Sequence, residues 1–290
     1  MTTTPCQNPG LYQAILARRS VRRYARDPLG ADILEQVGAI VAGAKPLLPD
    51  NDFAVLTRDV APGEDLAADL GAYGRLVTPP HYLLPYGTGE EHVWTDLGYR
   101  VEQVAVRLTE LGIGTCYVGC LAREEAVRAR FGLPETAHIG AFLVFGYPAT
   151  SVGGRAVNSA IRRVVGAVNK LPPERIFFQG SFEYPALPDD EIAPLIEAAR
   201  AAPSADNAQP WRFLWLEGML YLFVRRHNRR YGPEHHQAYR YYDGGICMGN
   251  LSLALEALGR AGHWTMLDGE DPLLPDCPPD LEPLAKLALA

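Results

Sequence analysis

The sequence predicts an α+β fold made of two half-domains in tandem, antiparallel sheets flanked by helices, which together form an internal pseudo-dimer. Three observations predict it. YARDPLGADIL and YPALPDDEIAPL place Tyr24 and Tyr184, and Pro28 and Pro188, 160 positions apart, and Phe53 and Phe213 keep that spacing. Downstream, DLGYRVEQVAVRLTELG (Asp96 to Gly112) matches DGGICMGNLSLALEALG (Asp243 to Gly259) at a spacing of 147. Elements that keep their order while loops change length are the mark of a duplication. Finally, each half mixes helical and strand-like patterns, as an α+β unit does. The halves divide near Leu171-Pro172-Pro173, giving 1–171 and 172–290.

Taken in order, Leu11 to Arg18 reads as a first helix, and Ile33 to Ala44 as a second after Pro28. The matching second helix of the other half runs from Glu191 to Ala202, with Ile192, Leu195 and Ile196 on one side and Pro203 as its stop. NDFAVL is a strand, and WRFLWL, Glu217-Gly218 and MLYLFV form a hairpin. A long apolar helix follows in each half, Asp96 to Leu111 and Gly245 to Leu258. The first half then adds GAFLVFG, a buried strand ending in the turn Gly146-Tyr147-Pro148. TPPHYLLPYGTGEEHVW finds no clear counterpart in the second half and is a candidate cover for a site.

The 290 residues are 48% hydrophobic and 21% charged, an ordinary globular composition. A net charge of −7 disfavours nucleic acid as a partner. No apolar run is long enough to cross a bilayer, and MTTTPCQNPG lacks the basic and apolar regions of a signal peptide. The five cysteines are scattered, without CxxC or zinc-site spacing, so a cytoplasmic protein with reduced thiols and no metal is expected. The seven histidines show no metal spacing, and His235-His236 fall in a loop.

The halves differ in complementary ways. ARRSVRRY carries Arg18, Arg19, Ser20, Arg22 and Arg23, whereas the stretch 160 further on, FQGSFEY, has no arginine. Conversely, PSADNAQPW (Pro203 to Trp211) faces AKPLLPDNDF, which lacks the Ser, Gln and Trp. Arginine forks bind anions through paired, permanently charged hydrogen bonds. Alone, RRSVRR also reads as a solvated basic face, and PSADNAQPW as a helix stop leading into a strand. Retention of each in only one copy points to a composite site built by both.

RRSVRRY, APSADNAQPWRF, DLGYRVEQVAVRLTELGIGTCYVG and GLPETAHIGAFLVFGYP together resemble the FMN-dependent nitroreductase family, whose order is RRSxRxF, APSxxNxQPW, D-x-G with a long helix ending in GLG, then GLP and GYP. The resemblance covers most of the chain and is weakest after Trp264. Usual members are homodimers with flavin sites at the interface; this chain resembles the tandem type, in which one polypeptide imitates the dimer and functions as a monomer. The resemblance implies that Arg18, Arg19, Ser20 and Arg22 hold the phosphate and ribityl side of FMN. It implies that Pro203, Ser204, Ala205 and Asn207 lie against the isoalloxazine ring, and that Gly112, Ile113 and Gly114 bring main chain close to it. For the glycines, capping of the preceding helix is the alternative. Basic residues after GYP complete the family's clamp; of Arg155, Arg162 and Arg163, the last two are favoured.

The implied activity passes hydride from NAD(P)H to a small electrophilic acceptor such as a nitroaromatic or quinone, with the flavin carrying the chemistry. The alternative is a low-turnover flavin-binding protein for storage or sensing. With one arginine cluster, one FMN per chain is expected. No catalytic side chain is assigned. Gly112-Ile113-Gly114 is not a dinucleotide fingerprint, because GxGxxG fails at its third glycine. Tyr231, Tyr239, Tyr241 and Tyr242 either pack between the halves or close over the ring.

Overall fold

The strands of the two halves are laid out in the same order. The computed structural model describes residues 9–25, 27–151, 158–159, 169–269 and 274–290. The first sheet contains β1 (Asp52–Asp59), β2 (His81–Thr88), β3 (Gly114–Gly119) and β4 (Ala141–Gly146) in the order β1-β2-β4-β3, antiparallel throughout. The second contains β5 (Phe177–Gln179), β6 (Trp211–Leu216), β7 (Met219–Arg225), β8 (Gly262–Met266) and β9 (Leu281–Leu289) in the order β5-β6-β7-β9-β8. Without β5, which adds parallel to β6, the second order is the first repeated: β6 stands for β1, β7 for β2, β8 for β3 and β9 for β4.

The helices α1 (Pro9–Ala17), α2 (Ala31–Ala42), α3 (Ala67–Leu70), α4 (Val93–Glu110) and α5 (Glu124–Phe131) belong to the first half, and α6 (Ala193–Ala201) and α7 (Tyr239–Ala257) to the second. α4 and α7 form the seam and run in the same direction, from Thr95 beside Gly245 to Arg107 beside Glu256. Their contact is close because Gly98, Gly245 and Gly249 present bare backbone. Both end alike. Gly112 has φ +74°, with Ile113 N–H donating to Leu108 O (3.0 Å) and Gly112 N–H to Thr109 O (3.0 Å). Gly259 has φ +67°, with Arg260 N–H donating to Leu255 O (2.9 Å) and Gly259 N–H to Glu256 O (3.1 Å). These paired bonds satisfy the last carbonyls of each helix around a residue in the left-handed region.

Three expectations are corrected. TPPHYLLPYGTGEEHVW is no added cover; it contains the buried strand β2, whose counterpart is β7. What the first half adds is the connection 60–80, with α3 and a following turn of 3₁₀ helix, where the second half needs only Glu217 (φ +50°) and Gly218 (φ +76°). The second half also does have the final strand. β9 escaped notice because Leu281, Leu284 and Leu287 are spaced by three, with Pro283 between. A bulge opposite Leu222/Phe223 absorbs the misfit, so that Leu284, Ala285 and Leu287 all join the main core. Lastly, Tyr239, Tyr241 and Tyr242 belong to the first turn of α7, which starts six residues before Gly245.

Candidate functional site

Beyond α1 the chain is extended and bridges to the edge of the first sheet: Ser20 pairs with Thr115, and Val21 N–H donates to Thr115 O (2.8 Å). Alternation along an extended segment separates Val21, in the core, from Arg18, Ser20 and Arg22, which face a cavity. Arg18 and Arg22 are 8% and 7% exposed, yet Nε and Nη1 of each have no hydrogen-bond partner among the described residues. Arg18 Nε lies 3.4 Å from Glu102 Oε1, a charge contact without hydrogen-bond geometry. Arg19 is exposed at the cavity rim. Buried cationic groups are costly unless something pairs them.

The cavity, about 580 Å³, lies between the halves. Its opposite wall is the loop after α6, where Pro203, Ser204, Ala205, Asp206 and Asn207 all line it. Asp206, Asn207 and Gln209 have φ of +48°, +54° and +48°, a conformation side chains disfavour. Side chains hold the loop there. Gln209 N–H donates to Ser204 Oγ (3.0 Å), the Asn207 and Gln209 amides both donate to Asn169 O (3.0 Å each), and Lys170 Nζ donates to Ala202 O (2.6 Å). Arg230 caps the outer side through Asp206 O (2.9 Å). Trp211 of the same motif is wholly buried in the core.

Tyr231, Tyr239 and Tyr242 of the second half line another wall. Sequence reasoning missed Tyr117 to Cys120, at the end of β3, and Asp243. Tyr239 and Tyr242 pack across the seam: Leu121 N–H donates to Tyr239 Oη (3.2 Å), and Tyr242 packs on Gly140; with Tyr231 they also line the cavity, whereas Tyr241 does not. Lys170 also lines the cavity, and burial, followed by the neighbouring Arg18, lowers its pKa to about 8. Behind it, burial raises Glu102 to about 7 against the pull of Arg18 and of Tyr117 Oη, which donates at 2.6 Å. Burial raises Asp243 to about 8, although it accepts from Tyr231 Oη (2.8 Å) and Ala205 N–H (3.0 Å).

The structure therefore brings together Arg18, Arg19, Ser20, Arg22, Pro203, Ser204, Ala205 and Asn207. It does not bring Gly112, Ile113 and Gly114 to the cavity lining. Gly112 caps α4, Ile113 is core, and Gly114 is packed under Val21 and Pro148. Main chain instead reaches the cavity a few residues later, around Gly119, where the strand passes from the core to the seam. Arg155, Arg162 and Arg163 lie outside the described residues.

The equivalent place on the other side of the seam is built differently. A smaller cavity of about 390 Å³ is lined by Lys45, Pro46, Leu47, Tyr99 and Trp264, the counterparts of Ala205, Asp206, Asn207, Ile246 and Tyr117. Where Arg18 and Arg22 would recur stand Phe178 and Phe182, packed with Phe223 in an apolar cluster. Among the described residues no cluster of side chains suits a metal ion, and no helix is long and apolar enough to cross a membrane.

Two sheet-and-helix halves joined through a pair of long helices, with a cationic cavity in the seam, define an α+β protein of internal pseudo-dimer type. A family model described as "Putative TM nitroreductase" matches residues 10–228, and the chain belongs to that nitroreductase family. No curated protein matches it. A crystal structure of a "putative nitroreductase" from Thermotoga maritima MSB8 is similar over 100% of this chain and 97% of its own, at 21% identity and a TM-score of 0.58. A "putative NADH dehydrogenase/NAD(P)H nitroreductase" from Bacteroides thetaiotaomicron VPI-5482 matches 50% of this chain and 89% of its own, at 21% identity and a TM-score of 0.41. An FMN-dependent nitroreductase from Clostridium difficile R20291 matches 46% of this chain and 85% of its own, at 17% identity and a TM-score of 0.39.

Proposed function

We propose that the chain is an FMN-dependent oxidoreductase that passes hydride from NAD(P)H to a small electrophilic acceptor, such as a nitroaromatic or a quinone, in the cavity between its halves. The observation that carries this reading is the pair of buried guanidinium groups, Arg18 and Arg22, with unpartnered nitrogens facing a cavity. A phosphate would supply the missing acceptors. About 580 Å³ is within the range of small-molecule and cofactor sites.

In this reading Arg18, Arg19, Ser20 and Arg22 bind the phosphate and ribityl side, and Arg162 and Arg163 complete the clamp. Pro203, Ser204, Ala205 and Asn207 support the isoalloxazine, held by Asn169, Lys170 and Asp243. When bound, FMN would supply two-electron chemistry between a nicotinamide and the acceptor. The polypeptide orients the ring and excludes water from it. Both contributions come from one chain, so the protein works as a monomer with one FMN.

Titration of the flavin-free protein with FMN, followed by anaerobic NADH or NADPH and then a quinone, tests this. The expected results are saturation at one FMN per chain, prompt bleaching, and recovery of the yellow colour. Saturation at two per chain, or a protein that remains colourless, contradicts it.

A further inference from the structure

Asp96 and Asp243 occupy the same position in the two halves, near the start of the long helices. Each holds a loop that ends an earlier helix of its half, the one after α2 for Asp96 and the one after α6 for Asp243. Asp96 Oδ1 accepts from Leu47 N–H (2.7 Å) and Leu48 N–H (3.1 Å), and Asp243 accepts from Ala205 N–H. Their electrostatics have diverged. Asp96 Oδ2 takes Arg100 Nε at 2.9 Å, whereas the residue in the place of Arg100 is Cys247. Asp243 forms no ion pair among the described residues, is 1% exposed, and stands in the cavity wall.

We propose that Asp243 is the acid that delivers a proton to the acceptor in the cavity when a hydride is transferred there. This rests on the function proposed above and completes its proton balance. A quinone becomes a hydroquinone by gaining one hydride, which originates in NAD(P)H, and one proton. Overall, the C4–H bond of the nicotinamide breaks and NAD(P)H is oxidised to NAD(P)+, while the acceptor gains one new bond to hydrogen, is reduced, and is left with negative charge on an oxygen. The Asp243 O–H bond breaks as its proton passes to that oxygen, and the carboxylate regains a proton from solvent.

The carboxyl's geometry suits this. Oδ2 accepts from Tyr231 Oη at 2.8 Å and Ala205 N–H at 3.0 Å, while Oδ1 has only a longer 3.2 Å contact with Ala205 N–H and is the oxygen available to carry the proton. The groups facing it are Lys170 at the junction, Asp206 in the loop, Tyr231 before the helix, and Tyr239, Tyr242 and Cys247 on α7. Burial and Asp206 favour the protonated form; Tyr231, Ala205 and Lys170 oppose it, and the balance near 8 keeps the acid protonated at neutral pH. An acid with a pKa close to working pH is suited to general acid catalysis.

The test compares wild type with Asp243→Asn, which keeps an acceptor for Ala205 N–H but has no acidic proton. FMN affinity is measured for each protein, and rates are compared at saturating FMN so that any loss of binding is separated from the chemical step. Reoxidation of the reduced protein by a quinone should slow by about 100-fold, and its decline above pH 8 should disappear. Tyr231→Phe, a second variant, removes a hydrogen bond that favours the carboxylate and should move that decline to higher pH. Infrared titration of flavin-free protein should show two protonated-carboxyl components in wild type, that of Glu102 lost near pH 7 and a second lost near pH 8, and D243N should lack the second alone. An unchanged reoxidation profile in D243N overturns the proposal, as does the absence of that second component at neutral pH. Failure of wild type to bind FMN would sink the proposed function instead, a separate outcome.

Discussion

Gly98 and Gly245 occupy the same turn of two helices that cross at the seam. A methyl group on Gly98 would overlap the carbonyl oxygen of Tyr242, and one on Gly245 would overlap that of Thr95. Thr95 and Tyr242 are themselves 147 positions apart, as are the glycines, so the contact is one interaction used twice about an internal two-fold axis. This is the isologous arrangement of a symmetric dimer, kept inside one chain.

Gly98→Ala and Gly245→Ala should each destabilise the protein. Alanine favours a helix by up to ~1 kcal/mol over glycine, but overpacking costs about 1–3 kcal/mol, and backbone cannot rotate away as a side chain can. A net loss of about 1 kcal/mol is expected, read as a lower urea midpoint. Exposed Gly38, with nothing within 4 Å of its added methyl, is the control and should gain stability on the same change.

Arg22→Met should trade binding for stability. Charged hydrogen bonds contribute about 1.5–3 kcal/mol each, so FMN affinity should fall about 10-fold to 100-fold per lost contact. The flavin-free variant should unfold at a higher temperature than flavin-free wild type, because a buried cation, two of whose nitrogens have no hydrogen-bond partner among the described residues, has been removed. A variant that binds FMN as before would take Arg22 out of the clamp.

Stability of the flavin-free protein should fall as pH rises from about 5 to about 8. Glu102 and Asp243 are raised to about 7 and about 8, so between the usual carboxylate range and those values the folded state holds more protons than the unfolded. Their contribution is complete at low pH and is lost as pH rises through the folded values. Lys170, lowered to about 8, works the other way and restores stability above that pH. Urea midpoints across this window should pass through a minimum near pH 8, and Glu102→Gln should make the descent shallower.

Tyr73→Ala should relax acceptor size. Tyr73 sits on the connection 60–80 that only the first half has, 40% exposed at the cavity, and the charge of Asp206 in the second half is felt there. kcat/KM for bulky acceptors should rise severalfold while small quinones are little affected, checked by steady-state kinetics with a graded series of dyes.

Much of this protein is legible along the chain because duplication leaves a local trace. Repeated spacings give the two halves, and the uneven fate of Arg18–Arg22 and Pro203–Asn207 points to one shared site. The unread parts are those in which local pattern misleads. Three leucines around Pro283 hide a strand because a bulge resets its alternation. Gly112 leaves two readings open, ligand approach and helix cap, because both need the same backbone freedom, and the cap is what the structure shows.

What the sequence determined by itself is therefore the inventory: two sister modules, one cationic segment and one polar helix end, each written in neighbouring residues whose chemistry does not depend on distant ones. Tertiary structure alone decided that Lys170, Tyr117 and Asp243 share a cavity with them, and that Asp243 stands without the cation its twin Asp96 retains. Those facts depend on which side chains meet across the α4–α7 seam. Burial and charge there are collective, so no short stretch of chain could announce them.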